Sequence, residues 1–163
     1  MATGLGNLSD YKSNSLPDGS SYKITLVVSE WNKSITNALK IAAIETLISL
    51  KVNSENINTI HVPGSFELIY GAKLAQEKNP DAVIVIGSII QGETKHFDFI
   101  CNAVSNGIKD LNIINKVPVI FCVLTDYNLK QAQDRSGGKY GNKGIEAAIA
   151  ALKMSKIRKE ENK

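Results

Sequence analysis

The sequence predicts an α/β protein, a three-layer α/β/α sandwich built around a four-stranded parallel sheet. Four short runs rich in Val, Ile and Leu are typical of strands buried on both faces. After each run, apolar residues recur at helical spacing, and this alternation favours parallel strands joined by right-handed crossovers. The 163 residues, 43% of them hydrophobic, are enough for one domain with a sizeable core.

The chain opens with a polar stretch, 1–21, that is rich in Ser, Asn, Gly and Asp and has no apolar period. We interpret it as a mobile arm, or as an arm that orders only against a neighbouring subunit. The first strand, 23–28, is an apolar and β-branched run. The helix that follows, 34–50, carries one apolar stripe, formed by Ile35, Leu39, Ala42, Ala43 and Leu47.

The second strand, 57–62, ends at the turn Pro63-Gly64. Ser65 then stands where an N-cap is expected, which predicts a helix over 66–78. Asn79-Pro80 ends this helix, because the residue before a proline avoids the helical conformation.

The third strand, 82–90, is a long apolar run, and the helix after it, 97–111, has apolar residues every three or four positions. The fourth strand is predicted at 117–124, where the early Pro118 indicates an edge position or a strand start.

A short helix over 128–134, a Gly-rich loop and a last helix over 145–158 complete the chain. We therefore expect a single domain over 22–158, followed by a charged tail, 159–163, that extends a solvated helix end. The net charge of +3 is diffuse and lacks a basic stripe with interleaved aromatics, which argues against nucleic acid as a partner.

Composition excludes several other classes. No apolar run approaches the ~18 residues of a membrane span, and the N-terminus lacks the pattern of a signal peptide. Cys101 and Cys122 lie in predicted apolar faces, which favours buried thiols in a reducing compartment and predicts a cytoplasmic location. No His, Cys, Asp or Glu cluster has metal-ligand spacing, so we expect no metal site.

Chemically distinctive residues follow the end of every predicted strand. The carboxyl ends of parallel strands meet at one edge of a sheet, where ligands bind in open α/β folds. Aromatic rings, a carboxylate at a helix start and glycine turns at this edge suit a flat, hydrogen-bonding heterocycle. The four segments are Ser29-Glu30-Trp31-Asn32, Gly64-Ser65-Phe66-Glu67, the turn 87–98 and the strand end Phe121 to Asp126.

The turn 87–98 and the loop 135–144 carry the clearest chemistry. His96 in the turn can exchange protons near neutral pH; the alternative is a plain helix start capped by Glu93 or Thr94. In the loop, glycines let main-chain amides approach an anion and Arg135 offers a forked pair of donors. The loop is not a phosphate-binding loop of the Walker type, and it is also compatible with a flexible turn between helices.

These segments together resemble the lumazine synthases, which catalyse the penultimate step of riboflavin biosynthesis. The likeness runs in order from about Lys23 to Met154 and is most specific in Gly92-Glu93-Thr94-Lys95-His96-Phe97-Asp98, followed by Arg135 and by Gly141-Asn142-Lys143-Gly144. It implies a flavodoxin-like fold that joins 5-amino-6-(D-ribitylamino)uracil to 3,4-dihydroxy-2-butanone 4-phosphate, with no metal or organic cofactor.

The resemblance also implies a role for each matching residue. His96 is the expected general acid/base. Residues expected to bind the aminouracil are Trp31, Ser65, Phe66, Glu67, Ser88, Ile89, Ile90 and, from a neighbouring subunit, Phe121. Residues expected to bind the butanone phosphate are Glu93, Thr94, Arg135 and Lys143.

The same resemblance implies a homo-oligomer, a pentamer or a shell of sixty subunits, with riboflavin synthase as a further candidate partner. Three alternatives stay open at this point. They are a flavodoxin-like module that only binds a flavin or lumazine, a structural shell or carrier, and an archaeal-type riboflavin synthase of the same fold. The first has no need of His96 or Arg135, and the last has little reason for a phosphate-binding loop.

Overall fold

The computed structural model describes Asn7, Ser9 and residues 16–161. The predicted arm therefore lies outside the described residues except at Asn7, Ser9 and 16–21. The predicted tail is described as far as Glu161, where it continues the last helix.

Four parallel strands form the main sheet, in the order β2-β1-β3-β4, and this arrangement confirms the predicted fold class. The central strands are β1 and β3, so β4 is an edge strand and begins directly after Pro118, as the proline indicated. The strands of this sheet are β1 (Ile24–Ser29), β2 (Ile57–Val62), β3 (Ala82–Ile90) and β4 (Val119–Asp126). The helices are α1 (Lys33–Ser49), α2 (Leu68–Glu77), α3 (His96–Ile114), α4 (Leu129–Arg135) and α5 (Lys143–Glu161).

Two apolar clusters, one on each face of the sheet, form the core. Successive side chains of a strand point to opposite faces, so Ile84 and Ile86 of β3 join one cluster while Val83 and Val85 join the other. The first cluster includes residues of α1, α4 and α5, and the second includes residues of α2 and α3. Helices on both faces leave the carboxyl ends of the strands open, and the site lies there.

The second helix differs from the sequence prediction at its start. It begins at Leu68 rather than Phe66, and Glu67 is the N-cap residue, without a side-chain capping bond. Ser65 is not the cap, because its side chain is buried against β3: a Cβ placed on Gly87 would lie 2.9 Å from Ser65 Oγ. The prediction of Ser65 as a cap was therefore wrong.

The Gly-rich loop forms a small hairpin rather than a featureless turn. Two short antiparallel strands, β5 (Ser136–Gly138) and β6 (Gly141–Asn142), pair there. Gly137 and Gly141 adopt φ values of 124° and 82°, which residues with a Cβ rarely take. Helix α5 follows immediately and begins two residues earlier than predicted.

Candidate active site

A cleft of about 640 Å³ opens at the carboxyl ends of β1, β2 and β3 and reaches the first turn of α3. Parallel topology explains why segments far apart in sequence meet here. Most of the residues that the sequence singled out line this cleft. They are Trp31, Ser65, Phe66, Glu67, Ser88, Ile89, Ile90, Thr94 and His96.

Two aromatic rings form the apolar part of the cleft. Trp31 is 70% exposed and Phe66 is 51% exposed, although rings of this size are usually buried. Both residues lie in the short connections that follow β1 and β2, so the sheet fixes the position of their backbone. Exposed rings beside a concave surface offer stacking faces to a flat ligand.

The end of β3 supplies the polar part. Ser88 is 1% exposed, and its Oγ has no hydrogen-bond partner among the described residues. Buried hydroxyls are normally paired, so this oxygen is a candidate ligand contact. The main-chain oxygen of Ser88 accepts a hydrogen bond of 2.9 Å from Asn32 Nδ2.

His96 is the first residue of α3 and its side chain is exposed. Its main-chain amide donates a 3.4 Å hydrogen bond to Thr94 Oγ1, so the Thr94 hydroxyl serves one free amide at the helix start. Lys95 is the N-cap residue and makes no side-chain capping bond. Glu93 is exposed and does not line the cleft. The imidazole thus lines the cleft from the first turn of α3.

Four predicted site residues do not line this cleft in the single chain: Glu93, which lies in the turn before α3, and Phe121, Arg135 and Lys143. Phe121 lies on edge strand β4, on the α2/α3 side between Val119 and Val123, and is 36% exposed. Lys143 begins α5 and forms an ion pair with Glu146. The structure thus divides the predicted site residues into a cleft group and a second group elsewhere on the surface.

Arg135, at the end of α4, is held on one side. Its Nη1 donates a 3.1 Å hydrogen bond to the main-chain oxygen of Gln131 and lies 3.6 Å from Asp126 Oδ1. The guanidinium carbon lies 5.1 Å from the centroid of the Tyr140 ring, within the range of a cation–π contact. Burial raises the pKa of the Asp126 carboxyl, and the charge of Arg135 opposes that shift.

The last residues of the Gly-rich loop dock α5 onto α1. Asn142 Nδ2 donates to the main-chain oxygen of Ala38 at 3.2 Å, and Asn142 Oδ1 accepts from the amide of Gly144 at 2.8 Å. A Cβ on Gly144 would lie only 2.1 Å from the main-chain oxygen of Leu39. Gly144 therefore allows a close approach of two helices, and its amide already has a partner within the chain.

A family model described as 6,7-dimethyl-8-ribityllumazine synthase matches residues 21–159. The chain belongs to this family. A protein of Flavobacterium johnsoniae with the same description is 58% identical over 98% of this chain and 85% of its own length. A protein of Christiangramia forsetii with this description is 54% identical over 98% of this chain and 96% of its own length. One of Parabacteroides distasonis is 52% identical over 94% of this chain and 97% of its own length.

Membership of the lumazine synthase family confirms the resemblance drawn from the sequence and makes this chain an enzyme of riboflavin biosynthesis. Among residues 16–161, no group of His, Cys, Asp and Glu side chains is arranged to hold a metal ion. In the same range, no helix is long and apolar enough to cross a bilayer.

Sequence reasoning missed two features of the site. Asn32 belongs to a segment predicted at this edge but was given no role there; it lines the cleft in the left-handed conformation, with φ 54° and ψ 48°. The signal was present, because Asn tolerates positive φ better than most residues and stands two residues before the predicted helix. The contact between Asp126 and Arg135 had no comparable signal, since it joins a strand end to a helix end nine positions away.

Proposed function

We propose that this chain condenses 5-amino-6-(D-ribitylamino)uracil with 3,4-dihydroxy-2-butanone 4-phosphate. The products are 6,7-dimethyl-8-ribityllumazine, phosphate and water. The observation that carries the proposal is the cleft that unites the exposed Trp31 and Phe66 rings, the unpartnered Ser88 hydroxyl and His96. Membership of the lumazine synthase family supports the same reaction.

In this proposal the cleft binds the aminouracil. Trp31 stacks on the pyrimidine ring, because its face is exposed and its backbone is fixed at the end of β1. The end of β3 forms the polar contacts of the ring, through Ser88, Ile89 and Ile90. The segment Ser65-Phe66-Glu67 holds the ribityl chain.

The butanone phosphate binds beside the start of α3 in this proposal. Glu93 and Thr94 form the turn that receives the phosphate, and Arg135 and Lys143 supply positive charge. The amine attacks the ketone, and a first water leaves to form an imine. A proton and the phosphate then leave from neighbouring carbons by elimination. The second amine attacks the remaining carbonyl, and a second water leaves as the ring closes. His96 moves protons in these steps as general acid and base. Holding the two substrates together supplies a large part of the rate, and no metal or cofactor takes part.

The division of the site residues supports a site shared between two copies of the chain. Phe121, Arg135 and Lys143 lie outside the cleft, so a neighbouring subunit would bring them to it. Helix α3 exposes large apolar side chains, Phe99 at 70%, Ile113 at 73% and Ile114 at 74%, which favour an interface. We propose a pentamer, with a sixty-subunit shell as its further assembly. The cytoplasmic location and association with riboflavin synthase stay predictions.

The first experiment mixes the purified full-length protein with both substrates and follows lumazine by absorbance and fluorescence. An enzyme-free mixture is the control, because the substrates can also condense unaided. Lumazine formation well above that control is the expected result. Binding of lumazine or riboflavin without any acceleration would overturn the proposal in favour of a binding module.

The shared site has its own test. Two differently tagged variants, His96→Ala and Arg135→Ala, are co-expressed and mixed complexes are isolated by both tags. If each site takes His96 from one subunit and Arg135 from the next, random mixing restores about a quarter of the sites. Activity no higher than that of the two single variants would contradict a shared site, and size measurements on the same samples give the number of subunits.

A further inference from the structure

Asp126 ends β4 with a carboxylate whose two oxygens differ in their surroundings. The side chain is only 5% exposed, and Oδ1 lies 3.6 Å from Arg135 Nη1. Oδ2 is buried and has no hydrogen-bond partner among residues 16–161. A buried ion pair is weak support for stability, and a buried polar atom without a partner calls for an explanation. Packing alone gives no reason for a charge at this position.

The backbone of Asp126 is part of the rigid frame of the cleft. In the β3–β4 register it lies opposite Ile90, which lines the cleft. Its main-chain oxygen accepts a 2.9 Å hydrogen bond from the amide of Gln91, in the turn that leads to His96. The carboxylate is thus fixed to the sheet, whereas Arg135 has a long side chain with many rotamers.

The contacts of Arg135 all lie at one end or face of the guanidinium. Nη1 meets Asp126 and the Gln131 carbonyl, and the ring of Tyr140 lies beside the group. Within the part of the chain that the structure describes, Nε and Nη2 donate no hydrogen bond. The Arg135 side chain is 27% exposed. The Nε–Nη2 edge is therefore free to donate two parallel hydrogen bonds to an oxyanion.

We propose that Asp126 is a positioning residue for the phosphate-bearing substrate. Its carboxylate holds the Nη1 end of Arg135, so that the opposite edge of the guanidinium stays oriented for the phosphate oxygens. This role rests on the proposed function, and it adds to the site a residue that touches no substrate itself. The benefit of a preoriented donor pair is a smaller loss of side-chain freedom on binding.

The test compares the full-length protein with Asp126→Asn, which keeps the shape and removes the charge. The KM for the butanone phosphate should rise about tenfold, as expected for one weakened charged hydrogen bond. The inhibition constant of inorganic phosphate, used as a probe that needs no turnover, should rise by a similar factor. The KM for the aminouracil and the melting temperature should stay close to those of the parent.

A double-mutant cycle separates positioning from general damage. In an Arg135→Ala background, Asp126→Asn should have no further effect on the KM for the butanone phosphate, because the group that it positions is gone. An unchanged KM in the single variant, or an equal rise in both backgrounds, would overturn the proposal. Asp126→Ser goes through the same cycle should the Asn variant fail to fold. Absence of lumazine formation by the parent protein counts against the proposed function itself.

Discussion

Asn32 ties the ends of two neighbouring strands together by donating a 2.9 Å hydrogen bond from Nδ2 to the main-chain oxygen of Ser88. Its own main-chain oxygen accepts hydrogen bonds from the amides of Ile35 and Thr36, the first turn of α1. One residue in the left-handed conformation therefore connects β1, β3 and α1. Because Trp31 precedes it directly, this connection also holds the backbone from which the exposed indole extends.

Asn32→Gly tests this connection, because glycine keeps the positive φ and removes the side chain. The free energy of unfolding should fall by about 1 kcal/mol for the lost hydrogen bond. The KM for the aminouracil should rise several-fold, since the position of Trp31 is less restricted. Asn32→Val is the matched control for strain and should cost a further ~1–2 kcal/mol, because a β-branched residue tolerates positive φ much less well than Asn or Gly. Aminouracil binding as tight as in the parent would contradict the positioning of Trp31 by Asn32.

His96→Gln should lower turnover by about 100-fold, the lower end of the range of general acid–base catalysis. The side chain is exposed and has no packing role, so the free energy of unfolding should stay within about 0.5 kcal/mol of the parent. The KM values should change little, because the substrates are held by other residues. Steady-state rates and urea unfolding are measured together, and equal turnover in both proteins would remove His96 from the chemistry.

Gly144→Ala should destabilise the fold by about 3 kcal/mol, because the new Cβ would meet the main-chain oxygen of Leu39 at 2.1 Å. Helix propensity alone predicts the opposite sign, since Ala favours a helix over Gly by about 1 kcal/mol. Gly92→Ala is the control: nothing lies within 4 Å of its added Cβ, and stability should change by less than about 1 kcal/mol. Urea unfolding of the two variants decides between steric and conformational effects.

The strands were predictable because their signals are local. The bounds of β2 and β3 agree with the prediction, since turn residues and prolines flank runs rich in apolar and β-branched residues. The hairpin β5–β6 was missed, because its strands are three and two residues long and consist largely of glycine. Ser65 was wrongly predicted to be the N-cap of α2, because serine is common at N-caps and is also small enough to pack against a strand.

The cleft was predictable for a topological reason. A parallel sheet gathers the residues after its strands, so naming the residues after β1, β2 and β3 was enough to outline the cleft, whereas the predicted segment at the end of β4 does not line it. The remaining features depend on side-chain conformation, which no pattern in the sequence encodes. Examples are the Asn32–Ser88 hydrogen bond and the approach of Arg135 to Asp126. Phe121 lies outside the cleft of its own chain. In the proposed assembly, it would reach a cleft only in a second copy of the chain.

Cys122 should be inert toward thiol reagents in the native protein. Complete burial on β4 raises the pKa of this thiol to about 12. The thiolate is the reactive form, so at pH 8 only about one molecule in 10⁴ carries it, and the reagent has no access. A Cys101→Ser variant isolates this thiol: labelling should be negligible in buffer and reach one equivalent in concentrated urea. Rapid labelling of the folded variant at pH 8 would mean that β4 opens at the sheet edge.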